Sequence, residues 1–228
     1  MTIRWRPPKL FPASAILAGV YIPSHFAVSD AEITAVLRAG GLAHLVTPTA
    51  SGLVATPLPL LFDEQRGALV GHMARNNPHW SAAPTGESLA IFPGVQAYVS
   101  PNWYPSKAEH GRTVPTWNYE VVHAHGRLLV HDDVDWLRAH VTALTEVHEA
   151  AHEHPWQVSD APEAYVAGQL RAIVGIELQI TRVEGKAKLS QNRSEADRAG
   201  VVAALSASAR ASDRAVALAM TARPTPQP

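Results

Sequence analysis

The stretch LAHLVTPTASGLVATPLPLLF (42–62) reads as a β-hairpin. Its arms, 42–49 and 53–62, are rich in β-branched and apolar residues, and Ser51-Gly52 supplies the turn between them. Pro57 and Pro59 lack the N–H that a central strand would donate, which puts the second arm at an edge or against a ligand. Working outward, ALVGHMA (68–74) follows Arg66-Gly67 as a third strand. SLAIF (88–92), QAYVS (96–100), WNYEVVHAHGRLLV (117–130) and RAIVGIELQITRVEG (171–185) supply the rest. Ser29 with Glu32 three residues on forms a capping box ahead of a helix over 30–39, and Gly40-Gly41 stops it. Leu137, Val141, Leu144 and Val147 recur at helical spacing between Val134 and His152, and Ala161 to Leu170 makes a shorter helix. The fold class is therefore α+β with β dominant: an antiparallel closed or split β-barrel of six or seven strands with peripheral helices.

Composition narrows the function classes. The 228 residues carry 19 basic against 20 acidic side chains, a net charge of −1, so no global positive field gathers nucleic acid or anionic lipid. The absence of cysteine excludes disulfides, a thiolate nucleophile, Cys-ligated zinc and iron–sulfur clusters. No apolar run reaches the roughly 18 residues of a membrane span, so no membrane partner and a cytoplasmic location are expected. Arg4, Arg6 and Lys9 precede the apolar stretch from Ala13 to Ile22 in the outline of a signal peptide, but Pro7, Pro8 and Pro12 interrupt it, so export is not expected. Residues 1–19 are read as an extension upstream of the natural start, with Val20 as a translated GTG codon. The barrel domain is assigned to 20–192 and a C-terminal helix to 193–206. Residues 207–228, dominated by Ala, Ser, Arg and Pro, are expected to be a flexible tail.

Three clusters could carry chemistry. His148-Glu149-Ala150-Ala151-His152 matches the zincin pattern, but no Gly-x-x-His extension supplies a third ligand and Pro155 ends the helix, so no metal is assigned. In GHMARNNPHW (71–80), Gly71 admits close approach to the backbone. Arg75 with Asn76 and Asn77 offers a guanidinium fork beside helix N-terminal amides, which suits either a phosphate or a surface turn. Trp103, Tyr104, Trp117 and Tyr119, beside Asn118, His123 and His125, offer planar apolar area with fixed donors, suited to a flat heteroaromatic ligand or to a core corner. His123 and His125 face one side of a strand.

Read in order, YIPSHF (21–26), GLVATPLPLLFD (52–63), GHMARNNPHW (71–80), AYVSPNWYPSK (97–107), the VPTWNY stretch (114–126) and AIVGIEL through KLSQNR (172–193) resemble the PaiB-like family of FMN-binding negative transcriptional regulators over about residues 20–205. The resemblance implies a flavin-binding split barrel that works as a homodimer, with FMN in a groove at the subunit interface. It implies that the strand around Thr56, Leu58 and Leu60 lies along the flavin ring and that Gly71 and His72 lie beside the ribityl chain. Arg75 and Asn76 would then hold the phosphate, and Thr116, Trp117 and Asn118 would come from the second subunit. The N-terminal extension and His152 depart from the family pattern.

Three function classes follow. The first is an FMN-binding regulator that contacts operator DNA, for which Lys186, Lys188, Arg193 and Arg198 are the local basic candidates. The second is a flavin-dependent oxidoreductase acting on a small substrate, with His72 or His123 moving protons. The third is haem binding or degradation on the same barrel, through a histidine axial ligand.

Overall fold

The computed structural model of the chain describes residues 19–223. Apart from Gly19, the N-terminal extension of the sequence reading lies outside the described residues. Six strands and six α-helices occur among those described: α1 (Asp30–Ala39), β1 (Gly41–Thr49), β2 (Gly52–Asp63), β3 (Ala68–Ala74), β4 (Ser88–Val99), α2 (Ser106–His110), β5 (Thr116–His131), α3 (Val134–Glu149), α4 (Glu163–Arg171), β6 (Ile173–Lys188), α5 (Glu195–Ser206) and α6 (Ala211–Ala222). The strands form a closed antiparallel ring in the order β1-β2-β3-β6-β5-β4. The expected hairpin is present, with Gly41 opposite Leu60 and Thr49 opposite Gly52. SLAIF and QAYVS turn out to be one strand, β4, that runs through Pro93-Gly94. Its ladder with β1 stops at Ile91, so Pro93 needs no donor on that side. Likewise β2 pairs with β3 only over Leu61–Asp63, and Pro57 and Pro59 fall on the part that lacks this second ladder.

The chain divides into two compact units. One contains Thr34–Phe92 and His123–Val183; the other contains the described residues up to Ile33, Pro93–Val122 and the chain from Glu184 onward. In the first unit alternation is strict on β1, where Ala43, Leu45 and Thr47 are buried while Leu42 and His44 are exposed. Thr47 Oγ1 and Ser88 Oγ, both enclosed, satisfy each other at 2.9 Å. Gly71 is needed for packing: a Cβ there would stand 2.7 Å from the Leu60 side chain and 2.8 Å from the Pro59 carbonyl.

The second unit has its own core, in which Ala97, Val99, Tyr104, Ala187 and Leu189 pack with Val201 and Leu205 of α5 and Val216, Ala217 and Met220 of α6. Of the expected flexible tail over 207–228, residues 211–222 form a packed helix, and 224–228 lie outside the described residues. Val216, Ala217 and Met220 share one helical face and are buried, and that burial orders a segment whose Ala, Ser and Arg composition looks featureless. Arg198 donates to the Met220 and Arg223 carbonyls, capping the end of α6. At the other end of this unit the capping box of α1 forms as read, with Ser29 N–H on Glu32 at 2.8 Å and Glu32 N–H on Ser29 Oγ at 3.3 Å.

Candidate functional site

In the first unit the polar residues of GHMARNNPHW are engaged by the fold itself. Arg75 donates from Nε to the Arg171 carbonyl at 2.7 Å and from Nη2 to the Ile173 carbonyl at 3.0 Å, and both terminal nitrogens reach the Asp132 carboxylate. Within the chain the Arg75 charge is paired with Asp132, and its fork fastens β3 to the start of β6. Asn76 is exposed. Its neighbour Asn77 donates to Thr56 Oγ1 at 3.2 Å, and Thr56 Oγ1 also meets Nδ1 of the fully buried His79 at 2.8 Å. Leu58 and Leu60 are buried core residues, at 3% and 1% exposure. Gly71 makes a close approach to β2. Half-buried His72 contacts His140 of α3. His123 and His125 do share a face, with ring centroids 6.4 Å apart.

The HEAAH pattern is broken by the end of α3 at Glu149, which leaves His152 outside the helix. The Glu149 carboxylate accepts the Trp156 backbone N–H at 3.0 Å. The paired-histidine helix face that a zincin requires is not built.

The second unit presents a different surface. Along β5 the side chains alternate, so Trp117 is 52% exposed and Asn118 is fully enclosed. Asn118 donates from Nδ2 to Ser190 Oγ at 3.0 Å and to Met220 Sδ at 3.4 Å, and its Oδ1 accepts from Ser190 Oγ at 3.2 Å. Within the chain Asn118 thus has a core hydrogen-bonding role. It anchors Ser190, which sits in the left-handed region at φ 64°. Gln191 holds the same turn, accepting from Leu189 N–H at 2.7 Å and donating to the Ala187 carbonyl at 2.6 Å.

Lys186 and Lys188 are two residues apart on β6 and so share a face of the strand. Lys188 Nζ donates to Thr116 Oγ1 and to the Trp117 carbonyl, each at 2.6 Å. Lys186 Nζ donates to the Tyr21 carbonyl at 2.8 Å and stands 5.6 Å from the Tyr119 ring and 5.9 Å from the Tyr21 ring. Neither ammonium meets a carboxylate among the described residues. Burial pushes Lys188 below the ordinary lysine value, and the neighbouring charges of Lys186 and Arg193 push it further. A local excess of positive charge beside planar rings favours an anion with an aromatic body. Tyr98, 6.3 Å from Trp117 in an edge-to-face pair, extends the aromatic area.

Of the residues proposed from sequence, Thr116 and Trp117 belong to this face. Lys186 and Lys188, read there as DNA-docking cations, belong to it as well, and Tyr98 was missed. The period-2 KxK spacing on a strand was the available signal. Of the other two basic residues read there, Arg198 caps α6, and Arg193 lies over the Tyr104 ring at 5.0 Å.

Comparison with known proteins places this architecture. A family model described as "Putative FMN-binding domain" matches residues 20–182. The chain is 32% identical over 187 residues to the protease synthase and sporulation protein PAI 2 of Bacillus subtilis, covering 80% of this chain and 87% of that one. Among solved structures, the FAD and heme binding protein from Mycobacterium smegmatis aligns with a TM-score of 0.52 at 16% identity, covering 72% of this chain and 73% of that one. The flavocytochrome Anf3 from Azotobacter vinelandii aligns with a TM-score of 0.50 at 14% identity, covering 75% and 73%. At these identities the two structures speak for the shared split-barrel fold.

Proposed function

Because the chain belongs to the FMN-binding domain family, we propose that it is an FMN-binding homodimeric protein with a regulatory role, and that the second unit carries the phosphate and ring contacts. The observation that carries this reading is the pair of ammonium groups, Lys186 and Lys188, left without carboxylate partners among the described residues beside Trp117 and Tyr119. A phosphate would accept from both ammoniums and relieve their mutual repulsion. The Thr116 hydroxyl, which already accepts from Lys188, holds that ammonium in place. Trp117 and Tyr119 offer π-faces to an isoalloxazine. Bound FMN would supply one- or two-electron redox chemistry, and the chain's own residues would bind it, orient it and exclude water. The homodimer belongs to the same proposal, since Trp117, Tyr98 and Val114 leave apolar area exposed at 52%, 44% and 63% that a second copy would cover. The link to regulation rests on likeness to the Bacillus subtilis protein, whose name ties that protein to protease synthesis and sporulation.

The test compares FMN with riboflavin, which lacks the phosphate. The double substitution Lys186→Ala, Lys188→Ala should weaken FMN by about 100-fold or more, at about 1.5–3 kcal/mol for each charge-assisted contact, and change riboflavin little. Equal losses for both ligands, or none for FMN, would refute the assignment. Light scattering should give about twice 24.5 kDa.

A further inference from the structure

His72 on β3 and His140 on α3 face each other with Nδ1 of His72 3.1 Å from Nε2 of His140 and their rings at 68°. His140 is 5% exposed, and its other nitrogen, Nδ1, is enclosed without any partner. Around the pair, Trp136 of α3 stacks 5.4 Å from His140, and His131 of β5 stacks 4.3 Å from Trp136. Glu177 of β6 is engaged by His131 at 2.9 Å and by Gln179 at 3.1 Å, and it has no bond to either member of the pair.

One proton lies between His72 and His140, and where it came from fixes both rings. If His72 donated from Nδ1, neutral His140 would carry its own proton on Nδ1, a buried N–H with nothing to accept it. If His140 donates from Nε2, its Nδ1 is a bare lone pair. Orphaned buried N–H groups are rarer than under-satisfied acceptors, so the second arrangement is favoured. We propose that His140 is a positioning residue that donates from Nε2–H to His72 Nδ1 and so locks His72 as the neutral Nε2–H tautomer, a fixed donor selective for a ligand group that only accepts, such as a carbonyl or phosphate oxygen. Burial holds both rings neutral: His72 is pushed below the ordinary histidine value, and His140 is pushed down to about 4 by burial and then by His72. His72 Nε2 has no partner among the described residues, which leaves that N–H for a ligand.

The tautomer does not rest on the flavin reading above. It can therefore be read in the full-length apoprotein by long-range nitrogen–proton correlation of the imidazoles at neutral pH. His72 should show a protonated Nε2 and a bare Nδ1. His140→Gln, whose amide N–H can still donate, should keep that pattern, whereas His140→Leu, which can neither donate nor accept, should release His72 into a mixture of the two tautomers. Should the Leu variant fail to fold, the wild-type and Gln spectra still decide. A wild-type His72 protonated on Nδ1, an even mixture of tautomers in the wild type, or a Gln variant that loses the Nε2–H form would overturn the proposal. The expected tautomer in a protein that fails to bind FMN would sink the flavin reading and leave this one standing.

Discussion

As residue types, the polar side chains around β3 in the first unit are much like those at the ends of β5 and β6 in the second unit; the two groups differ in what they touch. Arg75 in the first unit has a carboxylate and two carbonyls, and Asn77, Thr56 and His79 satisfy one another. In the second unit, Lys186 and Lys188 make only neutral contacts and repel each other. A buried or half-buried polar group whose partners lie within the chain stabilises the fold, whereas a cation without a counter-charge is a place where an anion gains free energy. Partner accounting therefore separates scaffold from site where composition cannot.

The largest expected effect tests the first region. His140 titrates near 6.5 when unfolded and is pushed down to about 4 when folded, so between these values the unfolded chain binds more protons. Its contribution is complete above about pH 6.5 and is lost as pH falls toward 4, on the order of 3 kcal/mol in total. His72 and His79, both pushed down by burial, act in the same direction. Urea unfolding across this range should show the decline, and His140→Gln should flatten it. A slope unchanged in that variant would mean that His140 is solvated in the native protein.

Next in size, adjacent residues of β5 should respond in opposite ways. Asn118→Ala removes the partner of buried Ser190 and should cost about 1–3 kcal/mol in denaturant unfolding while leaving FMN affinity unchanged. Trp117→Ala removes an exposed ring and should leave the stability of the protomer, measured below the concentration of dimerisation, within about 0.5 kcal/mol. It should weaken FMN about tenfold, the scale of one lost aromatic contact. The comparison between scaffold and site would collapse if both variants lost affinity and stability together.

The same distinction explains what the sequence could reveal. The 42–62 hairpin and the α1 capping box are written in local signals, a period of two around a Ser-Gly turn and a Ser-x-x-Glu spacing, and both formed. Continuity of β4 through Pro93-Gly94 was hidden because its cause is not local: a Cβ at Gly94 would stand 2.8 Å from Glu120 Cβ on β5. Helix α6 was hidden because only Val216, Ala217 and Met220 mark its buried face within an Ala-rich segment. At the proposed site, Trp117 was legible as an aromatic and Lys188 only as a charge. The role of Arg75 depended on Asp132, which lies 57 residues away, and no spacing in the sequence announces that pairing.

The smallest ligand effect is expected where the sequence pointed most directly to one. Arg75→Ala removes a side chain whose four hydrogen bonds all stay within its unit, so β3 loses its fastening to the start of β6 and to Asp132. The melting temperature should fall, while FMN affinity, measured well below the transition, should stay within about twofold. Riboflavin should follow FMN, because the phosphate has no stake in this guanidinium. Asp132→Asn offers an independent view: it keeps a carbonyl that can accept from Arg75 but removes the negative charge, so a modest loss of stability that shrinks in high salt is expected. If that variant instead bound FMN more tightly than the wild type, Arg75 would have been released toward the phosphate. The anion site would then have to be moved back from Lys186 and Lys188 to β3.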